Sequence, residues 1–163
     1  MKPVFTSLFV WLASITFATM AVAAPKTIPT LSYLDGTGEI YTLDASKNKL
    51  TAIHFWATWC APCIEELPEV NKAQQTYGSK GLSIVAISMD NNLEVVWDFF
   101  RQNKINLLRA YIDNGAASFN GFKIKGLPTT IFVNTKGEEV ARVEGPMHWE
   151  DETNRAFFEE QLK

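Results

Sequence analysis

A chain of 163 residues is long enough for one domain and too short for two ordinary ones. With 47% hydrophobic and 20% charged residues and no repeat, it has the composition of a globular protein, which excludes a low-complexity chain. A formal net charge of −3 gives no electrostatic ground for nucleic acid as a partner.

Lys2 is the only charge before Lys26, and the stretch from Val4 to Ala24 is apolar, small or hydroxylic. Ala21-Val22-Ala23 has the small-x-small form that signal peptidase reads. The expectation is a signal peptide over residues 1–23, with cleavage after Ala23 and a single domain over 24–163. Cleavage one residue later would put Pro25 first in the mature chain, where it hinders the protease. The alternative is an uncleaved anchor: the apolar run is about long enough to span a bilayer, although five Ser/Thr residues dilute it. No Cys stands at the cleavage site to take a lipid. Either way the domain is exported to the periplasm or cell envelope, and it meets a membrane only if the segment stays uncleaved.

Leu31–Tyr33 and Ile40–Thr42 alternate around Asp35-Gly36-Thr37-Gly38, a β-hairpin signature. Leu50–Trp56 is nearly continuous apolar, as a strand buried on both faces should be. Ala61–Tyr77 reads as a helix ended near Gly78, with Pro68 as a kink. Ser83–Met89 is a second buried strand, and Leu93–Asn103 carries Leu93, Val96, Trp97 and Phe100 at helical spacing. Leu107–Ile112 reads as a strand and Ala116–Phe122 as a short helix or turn. Thr129–Val133 and Glu139–Val143 flank Asn134-Thr135-Lys136-Gly137 as a second hairpin, and Trp149–Leu162 reads as the last helix. Strands alternating with helices predict a layered α/β domain around one central sheet. The second hairpin makes that sheet mixed.

The two cysteines, Cys60 and Cys63, are three positions apart. In an exported domain two cysteines commonly form a staple, but a loop this short gains little from closure. A redox role gains weight accordingly. Cys60 follows a buried strand and opens a helix, where free N–H groups and the helix dipole favour thiolate, so its pKa should fall below the free value of about 8.5. Thiolate is the species that attacks disulfides, and Cys63, one turn deeper, can then resolve the mixed disulfide. Pro62 occupies a first-turn position whose N–H is not used. Zinc would need further ligands, and the strong candidates, His54 and His148, are far apart in sequence. The reading therefore needs no metal and no cofactor.

Phe55-Trp56-Ala57-Thr58-Trp59-Cys60-Ala61-Pro62-Cys63 resembles the active-site segment of thioredoxins. Glu66-Leu67-Pro68 and Gly126-Leu127-Pro128-Thr129-Thr130 resemble the TlpA/ResA-like branch, exported bacterial thiol–disulfide oxidoreductases, over most of the chain from about Ile28 onward. The resemblance implies a thioredoxin-like three-layer α/β fold with a mixed central sheet and an N-terminal β-hairpin. It implies Cys60 and Cys63 as the redox-active disulfide, with Cys60 as nucleophile and Cys63 as resolving thiol. It implies Pro128 as a cis-proline against that disulfide, with Trp59, Leu127 and Pro128 meeting substrate. Glu66 matches a glutamate beneath the cysteines that tunes their protonation. Its place three residues after Cys63 puts it on the same helix face. Glu65 is expected in solvent and Trp56 in the core.

His54 departs from the pattern, since thioredoxins carry a buried Asp there and TlpA-like proteins often an Asn. It is read as a core histidine hydrogen-bonded to backbone, with proton exchange toward Cys63 as the alternative. The functional expectation is a protein-disulfide reductase serving cytochrome c maturation or copper-site assembly. The lack of His between the cysteines sets it apart from DsbA-like oxidants. Its partners would be protein substrates with cysteine pairs and a membrane thiol electron donor, because Cys60 and Cys63 are its only thiols. The alternative is a copper-binding module using Cys60, Cys63 and the Met147-His148 pair, since soft thiolate and thioether ligands suit Cu(I). A peroxiredoxin is disfavoured because the approach to Cys60 lacks that family's proline and threonine.

Overall fold

The computed structural model describes residues 26–113 and 117–163, so the expected signal segment and its boundary at residue 23 lie outside the described residues. The fold begins with a two-residue strand, β1 (Lys26–Thr27), and the expected hairpin of β2 (Ser32–Leu34) and β3 (Ile40–Thr42). Asp35 organises the hairpin turn: its Oδ1 accepts from the Thr37 N–H at 2.9 Å, the Thr37 hydroxyl at 2.8 Å and the Glu39 N–H at 3.1 Å. Gly38 closes the turn at a φ of 80°, a left-handed conformation that costs glycine little. β4 (Leu50–Trp56) is buried at every residue, as its continuous apolar run predicts.

α1 (Ala61–Tyr77) follows and runs through Pro68. β5 (Leu82–Ser88) and α2 (Leu93–Gln102) come next, the latter capped by the Asn92 side chain. β6 (Tyr111–Asp113) and α3 (Ala117–Gly121) lead to β7 (Thr129–Asn134), β8 (Glu138–Glu144) and α4 (Glu152–Gln161). Among the described residues, one eight-stranded sheet takes the order β1-β8-β7-β4-β5-β6-β2-β3. β4, β5 and β6 pair in parallel while β7, β8, β1 and the hairpin join antiparallel, which is the expected mixed sheet.

Alternation along β4 sorts the core into two layers. Leu50, Ala52 and Trp56 pack with α1, α2 and α4 through Leu67, Val70, Phe100 and Phe158. Ile53 and Phe55 face the other way, toward Leu31, Phe122, Ile131 and Val133. The architecture is therefore three-layered and thioredoxin-like.

Two elements differ from the sequence reading by more than one residue at a boundary. The strand expected over Leu107–Ile112 shrinks to β6, because the segment before it is tied to helices: Ile105 N–H bonds the Phe100 carbonyl at 2.9 Å and Leu107 N–H bonds Asn71 Oδ1 at 2.9 Å. Ile105, Leu108 and Ala110 are buried all the same, as loop anchors. The last helix starts at Glu152 rather than Trp149, because Asp151 caps it by accepting from the Asn154 N–H at 2.7 Å. Trp149 is fully buried before the helix begins.

Candidate active site

β4 runs out at Trp56, and Ala57-Thr58-Trp59 carries the chain to Cys60, the N-cap of α1. Thr58 fixes this turn: its N–H and hydroxyl donate to the two carboxylate oxygens of Asp90, at 2.9 and 2.8 Å. Ser88 at the end of β5 holds Asp90 in turn, through its hydroxyl and through the Asp90 N–H at 3.0 Å. Nothing in the sequence reading singles out Asp90. The only local sign of it is a Ser-x-Asp turn after a strand, a common arrangement.

Cys60 and Cys63 are joined as a disulfide with Cα atoms 5.3 Å apart. Cys60 keeps 7% exposure at the rim and Cys63 keeps none. Trp59 stands beside them at 70% exposure, an aromatic surface projecting into solvent. Trp56 is buried and stacks on Phe100 with ring centroids 5.4 Å apart, in the packing role expected of it. Leu127 is half-buried, Pro128 is buried, and the bond between them is cis. The Thr129 hydroxyl donates to the Gly126 carbonyl at 2.8 Å, and Gly145 N–H donates to the Pro128 carbonyl at 2.8 Å, so the loop is held from both sides. Thr129 pairs with Phe55, so β7 enters the sheet at the end where β4 leaves for Cys60.

Glu66 lies on the buried face of α1 with Cys63, as the three-residue spacing predicts, and Glu65 is exposed. The Glu66 carboxyl accepts the Trp149 indole N–H at 2.6 Å. Burial raises the carboxyl to about 7, against the opposing pull of hydrogen bonds from Trp149 and the Met147 backbone. Glu69 Oε2 takes the Trp149 backbone N–H at 2.9 Å, so two carboxylates of α1 clasp the loop before α4.

His54 is fully buried, and its Nδ1 lies 2.9 Å from the Thr130 hydroxyl, its direct partner across β4 and β7. The expected backbone bond is thus replaced by a side-chain partner, because the β register sets a hydroxyl opposite the ring. Burial pushes the imidazole down to about 3, which keeps it neutral. Met147 is buried against the core, and His148 is exposed with Nδ1 3.7 Å from Glu69.

The sequence pattern of the Redoxin family matches residues 23–158. Thiol-disulfide oxidoreductase ResA of Bacillus anthracis is 30% identical over 120 residues, 74% of this chain and 69% of that protein. Among solved structures, a thiol:disulfide interchange protein of Chlorobium tepidum TLS superposes with a TM-score of 0.70 at 26% identity, covering 88% of this chain and 100% of that one. StoA from Bacillus subtilis superposes with a TM-score of 0.65 at 26% identity, covering 83% of this chain and 98% of that one.

Proposed function

The chain belongs to the Redoxin family as a ResA-like thiol–disulfide oxidoreductase of the thioredoxin superfamily, and from this premise we propose that it reduces disulfides of exported proteins. The observation that carries the reading is the asymmetry of the pair, with Cys60 at the rim on a helix terminus and Cys63 sealed beneath it. In the reduced protein the Cys60 thiolate attacks one sulfur of a substrate disulfide. A mixed disulfide forms and the other substrate sulfur leaves as a thiolate. Cys63, losing its proton, then attacks the Cys60 sulfur. The Cys60–Cys63 disulfide forms, and the second substrate thiolate leaves. Two electrons pass to the substrate, whose thiolates take up protons.

Glu66, titrating near 7 beside this helix turn, is suited to take and return the Cys63 proton. Trp59, Leu127 and Pro128 form the surface on which the substrate chain lies. The Thr58–Asp90 clasp keeps Trp59 and Cys60 in one position relative to β5. A membrane thiol donor restores the dithiol, since the chain has no further cysteine. Substrates of this chemistry are exported proteins whose paired cysteines must be reduced before haem or copper is attached.

Trapping tests the reading. Cys63→Ser removes the resolving thiol, so the variant should accumulate mixed disulfides through Cys60 with exported proteins that carry paired cysteines. Absence of adducts there, together with efficient trapping by Cys60→Ser, would reverse the two roles.

A further inference from the structure

We propose that a cleft apart from the disulfide, between α2, the hairpin turn at Gly36 and the loop entering β6, binds a planar organic anion: an aromatic ring system bearing a carboxylate or sulfonate. The cleft encloses about 480 Å³, within the range of small-molecule sites. Trp97, Phe100, Leu108 and Tyr111 give it apolar and aromatic walls, and Lys104 and Arg109 stand at its rim. None of Trp59, Cys60, Leu127 or Pro128 lines it.

Two features define the ligand. The first is Trp97, which is 51% exposed and lies against the Gly36 backbone. The Gly36 backbone comes so close that a Cβ there would lie 2.3 Å from Trp97 Cζ2. The missing side chain lets the turn lie directly against the indole, which leaves a preorganised aromatic wall with its outer surface bare. Such a wall suits a flat ring. The second is charge. Arg101 pairs with Asp98, whereas Lys104 and Arg109 take part in no ion pair among the described residues. Asp35 also lines the cleft, with its Oδ1 taken up by three hydrogen bonds within its own hairpin. On a chain of net charge −3, two cations without an ion pair against one carboxylate leave the lining with a positive excess, a local field complementary to an anion.

The probe is 8-anilinonaphthalene-1-sulfonate, titrated by its own fluorescence, with neutral N-phenyl-1-naphthylamine as the uncharged counterpart. The wild type should bind one sulfonate saturably, and rising salt should weaken it. Lys104→Glu with Arg109→Glu should weaken the sulfonate by about tenfold or more and leave the neutral amine unaffected. Lys104→Gln with Arg109→Gln should fall between, and Trp97→Ala should lose both probes. Circular dichroism and insulin-disulfide reduction should stay at wild-type level in the charge variants, which separates loss of this site from misfolding and from failure of the redox reading. Non-saturable binding, equal affinity for the neutral amine, or sulfonate affinity indifferent to charge reversal would overturn the proposal.

Discussion

Cys60 keeps 7% of its surface in solvent and Cys63 none, so a reagent in water reaches one sulfur of the reduced pair ahead of the other. Limiting iodoacetamide should label Cys60 well before Cys63, read by peptide mass spectrometry; equal labelling would remove the basis for assigning Cys60 the first attack. Two buried groups, on the strand and the helix that flank this pair in sequence, carry opposite pH signatures. His54 falls from 6.5 to about 3 on folding, so between those values the unfolded chain binds a proton that the folded chain refuses, and stability rises with pH. Glu66 rises from 4.5 to about 7, so in that interval the folded chain holds a proton that the unfolded chain releases, and stability falls with pH. The two slopes oppose each other where the intervals overlap. His54→Asn should therefore expose a loss of stability from pH 4.5 to 7, and Glu66→Gln a gain from pH 3 to 6.5, each at most about 1.4 kcal/mol per pH unit. Urea unfolding at a series of pH values reads this out, and parallel profiles for both variants and the wild type would refute it. The pair and the buried side of Glu66 were legible in the sequence because both depend on spacing along one helix. Trp149 lies 83 positions from Glu66 and Thr130 lies 76 from His54, and a bond made across such a separation leaves no local pattern to read.

Elements were legible where turn or cap chemistry is local, as in the hairpin closed by Asp35 and Gly38. They were less so where burial imitates periodicity. The loop carrying Ile105, Leu108 and Ala110 is as apolar as a strand, but its N–H groups go to Phe100 and Asn71 rather than to a neighbouring strand. β1, with two residues, is too short to show a period at all. At α4 the apolar residues extend back into the preceding loop, so the helical pattern begins three residues ahead of the helix. That loop is held by Glu66 and Glu69 on one side and opens into the Asp151 cap on the other. Trp149→Phe keeps the packing and deletes one donor, leaving the buried Glu66 carboxyl short of a partner, and should cost about 1–3 kcal/mol. Asp151→Ala should cost about 0.5–2 kcal/mol by uncapping the helix. Thermal unfolding of both variants measures this, and an unchanged midpoint for Trp149→Phe would mean the Glu66–indole bond contributes nothing to stability.

For the molecule as a whole, the three layers and the mixed sheet follow from the order of elements, whereas the placement of the hairpin beside β6 does not, because antiparallel pairing between residues as distant as Tyr33 and Asp113 has no sequence signature. No helix among the described residues is long and apolar enough to cross a membrane. The proposal of export predicts an intact mass for the mature protein that begins at Ala24, recovered without detergent; a mass beginning at Met1, recovered only with detergent, would instead establish the anchor. β1 gives that distinction a mechanical side. Lys26 sits opposite Glu139 and Thr27 opposite Glu138, at the start of β8, and β8 runs parallel to β4. The chain is thus attached at the end of the sheet remote from Cys60. Lys26 and the reactive sulfur are thereby separated along the strand direction by a strand length of about 20 Å. A donor held at the Lys26 end of the sheet would have to reach at least that far to meet the disulfide, while partners approaching from the opposite end would meet it face on.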